Sequence, residues 1–391
     1  MASDPDHPKP KTSRHKCPAC YKQFNRKLHL IEHMKISYHS VHQPRCWVCQ
    51  KHCKSFESVR EHINSKIICM FILICQRFYC VIFLFLSFYI GPLSKTNCSK
   101  IFVEQGCNLC LKVLDSPSAL KEHKQMCCLV APAPLGTKIT PCIESNVTMS
   151  GSIMDEMHNG KAQKAVAMDC EMVGGGSDGS IDLCARVCLV DEDENIILHT
   201  YVQPQIPVTN YRYEVTGLTE DHLRDAIPLN EVQDKIKKIL YNGESVGRIP
   251  PDGGKARLLA GHDVQHDLDC LRMKYPGFLL RDTAKYRPLM KTNLVSHSLK
   301  HLTKTYLGYN IQCGTHDPYE DCISVMRLYK RMCGQDHQQV FRLGDEKANS
   351  GFDSFRSMEL EKKAPDELYE ISTSDYKCWC LDLTKDCNPG S

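Results

Sequence analysis

The chain has 391 residues, a formal net charge of +3 at pH 7 and 24 cysteines, 14 of which lie within the first 142 residues. The cysteines of residues 163–333 are single and scattered, which is typical of reduced thiols and excludes a disulfide framework of the secreted kind. Residues 1–16 are polar, with Pro and Lys, and do not have the pattern of a signal peptide. We therefore expect an intracellular protein.

The N-terminal arm carries a zinc-finger pattern, Cys-x2-Cys-x12-His-x5-His, at Cys17, Cys20, His33 and His39. Phe24 and Leu30 occupy the two apolar positions that a small ββα core requires, and thiolate with imidazole is the usual ligand set of structural zinc. Residues 1–62 hold 12 Lys and Arg against 5 Asp and Glu. This basic arm is expected to contact nucleic-acid phosphates. The alternatives are a merely solvated surface and a finger that binds protein.

A second finger pattern is incomplete. Cys46, Cys49 and His62 repeat the first three ligand spacings, but no fourth ligand follows at ordinary spacing. Cys69 and Cys98 are the candidates for that position. We interpret this finger as damaged or unusual, and we group it with the basic arm as residues 1–62.

The next segment, residues 63–98, contains an apolar stretch. Residues 67–90 are apolar except for Gln76, Arg77 and Ser87. The stretch is long enough to cross a bilayer, but Arg77 would lie near its centre at a cost of roughly 2.5–3.5 kcal/mol. We interpret residues 64–90 as translated intron, because a T-rich non-coding stretch encodes this Phe, Ile, Leu, Cys and Tyr content. A membrane span and a buried helix are the alternatives, and a membrane partner is not expected.

A third finger covers residues 99–128, with ligands at Cys107, Cys110, His123 and Cys127. Leu114 and Leu120 are its predicted core, and Cys128 could substitute for Cys127. Residues 129–162 contain Pro, Gly, Ser and Met with little periodicity, which indicates a linker. Residues 334–391 are interpreted as a loose C-terminal tail, with a metal site at Cys378, Cys380 and Cys387 as the alternative.

Residues 163–333 alternate between strand and helix patterns. Strands are predicted at 165–168, 181–190, 196–202 and 257–263, and amphipathic helices at 231–241 and 296–307. The succession βββαβαβαα predicts an α/β fold, in which a mixed sheet is flanked by helices and preceded by the small ββα fingers. About 170 residues is enough for one hydrophobic core.

Acidic residues follow the strand pattern at 165–168. A strand alternates its faces, so Asp169 and Glu171 point the same way and would repel each other at the edge of a buried sheet. Hard divalent cations such as Mg²⁺ or Mn²⁺ prefer such paired oxygen ligands. An exposed acidic strand end is the alternative that an isolated Asp-x-Glu would favour.

Three further residues can complete this site. Asp267 lies near the start of the helix that follows the strand at 257–263. His316 directly precedes another helix, which Pro318 begins, and Asp321 lies one turn into it. An imidazole and a carboxylate are therefore expected near one another.

The order of these motifs, D-x-E, then H-D-L, then H-x4-D, resembles that of the DEDD superfamily of 3′→5′ exonucleases. A histidine five residues before the last aspartate is typical of the histidine branch. The hexapeptide D-C-E-M-V-G at residues 169–174 is similar to that of the interferon-stimulated exonucleases and the RNA exonuclease 4-like proteins. The resemblance covers residues 163–333, and it departs at His266, where many relatives have Asn.

The resemblance implies an RNase H-like fold and a two-metal 3′→5′ exonuclease that releases nucleoside 5′-monophosphates from nucleic acid. It implies that two Mg²⁺ or Mn²⁺ ions are held by Asp169, Glu171, Asp267 and Asp321. It also implies that His316 is the general base. Met172 is expected to pack on the terminal nucleotide, with plain core packing as the alternative.

Two other functions are compatible with parts of the pattern. An RNase H-type endonuclease shares the sheet and the carboxylates, but it lacks the D-x-E pair and the H-x4-D ending. A zinc-finger nucleic-acid-binding protein with an inactive nuclease-fold platform is the second alternative, and the presence of all five acid and base residues favours the enzyme. The resemblance favours single-stranded RNA as the substrate, and fingers with a nuclease suggest the nucleus or nucleolus.

Overall fold

The computed structural model describes residues 14–17, 22–37, 42–64, 94–135, 164–250, 253–335 and 378–382. The chain divides into two compact units, one of residues 1–106 with 336–378 and one of residues 107–335 with 379–391. Two predicted zinc ligands, Cys20 and His39, lie outside the described residues. So do residues 65–93 of the apolar segment, 136–162 of the linker with residue 163 after it, and 336–377 and 383–391 of the tail.

The first unit contains the segments predicted to be the first and second fingers. Strands β1 (His15–Lys16) and β2 (Gln23–Phe24) pair antiparallel, and helix α1 (Lys27–Ser37) follows them. This is the expected ββα arrangement, and the predicted core residue Leu30 is buried. Phe24 is half-buried and packs on the ring of His33 at 4.9 Å.

The second finger contributes helix α2 (Phe56–Asn64), and α3 (Ser94–Gln105) packs against it. Both helices extend into the segment predicted as an insert, because α2 continues to Asn64 and α3 begins at Ser94. No helix among the described residues is long and apolar enough to cross a membrane, and residues 67–90 are not among them.

The second unit begins with the third finger. Helix α4 (Pro117–Cys127) is capped by Ser116, whose hydroxyl accepts a hydrogen bond from the Ala119 amide. The carbonyl of Cys127 accepts a hydrogen bond of 2.6 Å from Arg331, and Leu129 N donates to Leu307 O at 2.9 Å. The third finger is therefore joined directly to the large domain that follows it.

That domain is built on a seven-stranded mixed sheet, with strands in the order β7-β5-β4-β3-β8-β9 and β6 paired to β3. The first three long strands are antiparallel neighbours, while β8 and β9 run parallel to β3. The predicted mixed sheet flanked by helices, an RNase H-like arrangement, is confirmed. The strands are β3 (Ala165–Gly175), β4 (Ile181–Val190), β5 (Ile196–Gln203), β6 (Val208–Asn210), β7 (Ile227–Pro228), β8 (Leu258–Gly261) and β9 (Leu280–Asp282).

Helices cover the sheet. The amphipathic helix α7 buries Val232, Ile236 and Leu240 completely, and α10 packs on the central strands β3, β4 and β8. The predicted helix at 296–307 is a short α-helix that continues as one π-helical turn, Thr303–Leu307. The helices are α5 (Tyr213–Thr216), α6 (Glu220–Leu223), α7 (Leu229–Tyr241), α8 (Val264–Cys270), α9 (Leu299–Leu302) and α10 (Pro318–Cys333).

Strand β3 is longer than the sequence predicts, because it runs through the acidic motif to Gly175. Its last residues approach the neighbouring turn very closely: a Cβ on Gly174 would lie 2.3 Å from the carbonyl oxygen of Gly179. Only glycine fits there. The pairing of β3 with β4 also shifts register between Glu171 and Met172. The acidic motif therefore lies inside the central strand and not at its end.

Part of the predicted loose tail is packed. A 3-10 helix, Trp379–Asp382, places the Trp379 ring on the ring of Tyr286 at 3.9 Å. Asp382 accepts hydrogen bonds of 2.7 and 2.6 Å from Arg281, and both side chains are 5% exposed. Polar composition alone suggested a tail, whereas a buried arginine at the sheet edge needs this carboxylate.

We expect the substitution Asp382→Ala to destabilise the second unit by about 3–5 kcal/mol, because it leaves a buried guanidinium without its partner. Urea unfolding of the full chain measures the loss. The double variant Arg281→Met with Asp382→Ala should recover much of it, since the stranded charge is then absent. A stability loss in the double variant equal to the sum of the losses in the two single variants would show that the pair is not coupled.

Candidate active site

The centre of strand β3 supplies two carboxylates. Asp169 and Glu171 lie two residues apart, so the strand presents them on one face as predicted. Glu171 is buried, and Asp169 is partly buried. Across the sheet, Glu171 pairs in register with Arg186 of β4, which is also buried.

Helix α8 supplies the third carboxylate. Strand β8 ends at Gly261, and Asp263 adopts a left-handed backbone (φ 57°) that turns the chain into the helix. Asp263 is held in this turn, because its amide donates to Asp282 Oδ1 at 2.8 Å. Asp267, in the first turn of α8, is therefore aimed back at β3 and is buried.

Helix α10 and the residue before its cap supply the last two groups. Asp317 caps the helix by accepting from Tyr319 N at 2.9 Å, and Pro318 begins it. His316 is fixed by its backbone, whose amide donates to Val215 O at 2.6 Å. Ligand atoms of Glu171, His316 and Asp321 all lie within 4.8 Å of one another. The predicted meeting of imidazole and carboxylate is found in the structure.

The carboxylates disturb one another's ionisation. Burial raises the pKa of Asp169 well above its ordinary value, and the charges of Asp321, Asp267 and Glu171 raise it further. Burial, followed by repulsion from Asp321, raises the pKa of Glu171 to about 8, although Arg186 opposes the shift. All four predicted acids thus share one region of negative charge, even though Asp169 and Asp267 are outside the 4.8 Å group.

The other two acids follow the same rule. Burial is the largest cause that raises the pKa of Asp267, with Asp263 and Asp282 next. Burial raises the pKa of Asp321 to about 7, and the hydrogen bond from Gln312 lowers it in part. The pKa of His316 is shifted in the opposite direction, because burial and the nearby Lys300 lower it.

The donor set fits divalent cations. Asp267 Oδ2 and Asp321 Oδ1 are buried and accept no hydrogen bond among the described residues. Buried carboxylate oxygens are normally paired, and a hard cation bound by several oxygens is one way to pair them. Together with Asp169 and Glu171, these atoms form an all-oxygen ligand set of the kind that Mg²⁺ and Mn²⁺ prefer.

The comparisons with known proteins agree with this geometry. The RNase_T exonuclease family model matches residues 166–329. Over 172 residues the chain is 36% identical to RNA exonuclease 4 of Candida glabrata. This alignment covers 44% of this chain and 60% of the relative. Over 188 residues it is 34% identical to RNA exonuclease 4 of Homo sapiens. That alignment covers 48% of this chain and 41% of the relative.

Residues 166–329 therefore form a domain of the RNase_T exonuclease family. The chain spans 60% and 53% of the first two relatives, the RNA exonuclease 4 proteins of Candida glabrata and Kluyveromyces lactis. Among solved structures, the Pan2 pseudoubiquitin hydrolase-RNA exonuclease module of Saccharomyces cerevisiae, in complex with A7 RNA, matches with a TM-score of 0.36 and 23% identity. It covers 44% of this chain and 29% of that chain.

Two contacts of the exonuclease domain were not predicted from the sequence. Gln312 donates from Nε2 to Asp321 Oδ2 at 2.8 Å, and its left-handed backbone (φ 53°) directs it there. Arg186 contacts Asp317 Oδ2 at 3.3 Å and donates to His199 Nε2 at 2.9 Å. A glutamine ahead of the H-x4-D motif was the available signal for the first contact. The second depends on strand register, which motif spacing does not reveal.

The remaining predicted site residues of the domain lie close to the cluster in sequence. Met172 follows Glu171 on β3 and is half-buried, so plain core packing does not account for all of its surface. Its contact with a nucleotide stays a prediction. The unusual His266 is exposed and lies 3.3 Å from Asp182 Oδ2 on β4.

The predicted fingers contain two groups of four side chains that could hold a metal ion. Cys107, Cys110, His123 and Cys127, all predicted ligands, lie within 4.8 Å of one another, and the predicted Leu120 belongs to the buried core beside them. Cys128 is outside this group and contacts Gly308 O. The second group consists of Cys46, Cys49, His62 and Cys98. Of the first finger's ligands, Cys17 is buried and His33 lies on α1.

We expect the metal-free exonuclease domain to lose stability as pH rises above 6.5. The raised pKa values of Glu171 and Asp321 mean that the folded chain holds protons that the unfolded chain has released above about pH 4.5. Stability therefore falls until pH passes their folded pKa values near 7 and 8. Adding Mg²⁺ at a hundred times its dissociation constant should raise the unfolding midpoint by ~5–10 °C at pH 8.5.

Thermal unfolding of the full chain in chelator and in Mg²⁺, at pH 6.5 and pH 8.5, measures this. The substitution Asp321→Asn should flatten the pH dependence and weaken the Mg²⁺ effect. The exposed Asp178→Asn, which changes the same charge on the β3–β4 turn, should do neither. A Mg²⁺ effect of equal size in Asp321→Asn would contradict the assignment.

Proposed function

We propose that the chain is a divalent-metal-dependent 3′→5′ exonuclease that shortens single-stranded RNA and releases nucleoside 5′-monophosphates. The convergence of Asp169, Glu171, Asp267, Asp321 and His316 within an exonuclease domain is the observation that carries the proposal. The similarity to RNA exonuclease 4 favours RNA as the substrate. The same similarity favours RNA processing in the nucleus or nucleolus.

The four carboxylates would hold two Mg²⁺ or Mn²⁺ ions, which would neutralise the cluster and stabilise both the attacking and the leaving oxygen of the reaction. The protein's task before binding is to keep mutually repelling acids together. Arg186 contributes to that task, because its charge lowers the pKa of Glu171. The backbone bond from His316 N to Val215 O and the cap at Asp317 keep the base and Asp321 in place.

His316 suits the role of general base. Burial and Lys300 lower its pKa, so its imidazole is neutral at pH 7 and can accept a proton. It would take the proton from the water that attacks the terminal phosphorus. The bond from that phosphorus to the 3′ oxygen of the preceding nucleotide then breaks, and the 5′-phosphate stays on the released nucleotide. Such general-base assistance contributes on the order of 10²–10⁴-fold.

The fingers would add affinity for the substrate. Arg26, just before α1, and His29 and Glu32 on it are exposed, and this is the surface expected to face a nucleic acid. Zinc held by the first and third fingers would stabilise their small folds. In this proposal the fingers hold the RNA without sequence preference, and the exonuclease domain acts on its 3′ end.

We expect Asp169→Asn to abolish 3′-end trimming and His316→Ala to reduce it by about 10²–10⁴-fold. The assay uses the full chain with 5′-labelled single-stranded RNA and matched DNA, in Mg²⁺, in Mn²⁺ and in chelator. A ladder that shortens from the 3′ end, with nucleoside 5′-monophosphates identified by mass spectrometry, is the expected product. Asp178→Asn is the matched control and should trim at the wild-type rate.

Three results would contradict this function. Cleavage of circular RNA would indicate an endonuclease. Trimming that survives in Asp169→Asn would place the activity in another site or in a contaminant. RNA binding without trimming under either metal would instead favour the zinc-finger binding protein with an inactive nuclease platform.

We also expect Gln312→Ala to reduce trimming by about 10–100-fold and to raise the Mg²⁺ concentration needed for half-maximal rate. The side chain touches a metal-binding carboxylate and orients it, and loss of such partners typically has this cost. Gln265→Ala, which removes an exposed amide that binds Asp269, is the control. An unchanged Mg²⁺ requirement in Gln312→Ala would show that Asp321 is positioned without it.

A further inference from the structure

The incomplete second finger has a full set of four metal-binding side chains. Cys46, Cys49, His62 and Cys98 each place one sulfur or nitrogen atom within 4.8 Å of the others. Cys49 Sγ lies 3.3 Å from His62 Nε2. In a tetrahedral zinc site, bonds of about 2.0–2.3 Å put such atoms roughly 3.5–3.8 Å apart. The four side chains are therefore close enough together to bind one zinc ion.

The third finger provides an internal comparison, because its ligand turn has the same backbone as that of the second. In each turn the first cysteine donates its amide to a lysine carbonyl five residues later at 2.9 Å, and the residue four positions after that cysteine is left-handed. The cysteine–histidine distance is also nearly equal, 3.3 Å in the second finger and 3.2 Å in the third. The residues are Cys46, Gln50 and Lys51 in one turn, and Cys107, Leu111 and Lys112 in the other.

The two fingers differ in the origin of the fourth ligand. In the third finger, Cys127 lies one helical turn after His123 on the same helix, α4. The equivalent position after His62 is Lys66, whose ammonium group is not a zinc ligand. Helix α3 packs against α2 and brings Cys98, which is fully buried, to that side of the site. A ligand from a second helix thus replaces the missing one.

We propose that Cys46, Cys49, His62 and Cys98 bind one structural zinc ion, which fastens α2 to α3. Three thiolates and one imidazole are a common ligand set for zinc, and four protein ligands leave no position open for a substrate. Zinc here stabilises the fold of this finger. The site is independent of the proposed exonuclease activity, because all its ligands lie in the first unit.

The fourth ligand in this assignment, Cys98, lies outside the apolar stretch interpreted as translated intron. Residues 64–90, interpreted as translated intron, include Cys69 but not Cys98. A finger that uses Cys98 keeps all four ligands whether or not that stretch is present. The cost of closing a loop grows slowly with its length, so the metal site tolerates a long insertion between its third and fourth ligands.

The first test uses the unaltered full chain and maps alkylation of each cysteine by mass spectrometry. Cys49 is exposed, so burial alone does not protect it. In zinc-loaded protein we expect Cys46, Cys49 and Cys98 to react at least tenfold more slowly than after chelation, and to regain protection together when zinc is restored. Cys313, which is exposed and lies in the second unit, is the internal control and should react at the same rate in both states.

The second test measures bound zinc per chain by elemental mass spectrometry. Cys98→Ser should lose one equivalent, whereas Cys53→Ser and Cys69→Ser should lose none. Cys49 that reacts equally fast with and without chelator would overturn the proposal. So would wild-type zinc content in Cys98→Ser, or the loss of one equivalent in Cys69→Ser.

Discussion

Repulsion among buried carboxylates is the constraint around which the exonuclease domain is arranged. Asp169, Glu171, Asp267 and Asp321 come from three elements of the fold, and each has a pKa raised first by burial. An apolar centre would be easier to pack. The domain therefore needs rigid supports that hold these groups together before any cation binds: the central strand β3, the turn at Asp263 and the capped start of α10.

Only some of the four acids are compensated by a positive charge or a hydrogen bond from a neighbouring side chain. Arg186 of β4 is paired in register with Glu171, and its guanidinium contacts Asp317, so this side chain joins β4 to the cap of α10. Gln312 donates to Asp321, yet the second oxygen of that carboxylate accepts no hydrogen bond among the described residues. Partial compensation of this kind keeps the acids in place while it leaves oxygen atoms available to metal ions.

Much of the site could be predicted from the sequence, because its chemistry is local. The alternation of a strand puts Asp169 and Glu171 on one face, and Pro318 after a capping aspartate marks where α10 begins. What escaped prediction depends on distant pairing. The last residues of β3 pair with Val208 and Asn210 of β6, and the partner of Arg281 lies 101 residues away at Asp382. A polar tail gives no local sign that one of its carboxylates will neutralise a buried arginine.

The second finger shows the same limit for metal ligands. Spacing rules find a fourth ligand when it lies one turn further along the same helix, as Cys127 does in the third finger. They left Cys69 and Cys98 equally open, because neither lies at that distance from His62. Packing of α3 on α2 brings Cys98 beside Cys46 and His62, whereas Cys69 lies outside the described residues. A ligand pattern that looks incomplete in the sequence can thus be complete in the folded structure, provided that a second helix supplies the missing thiolate.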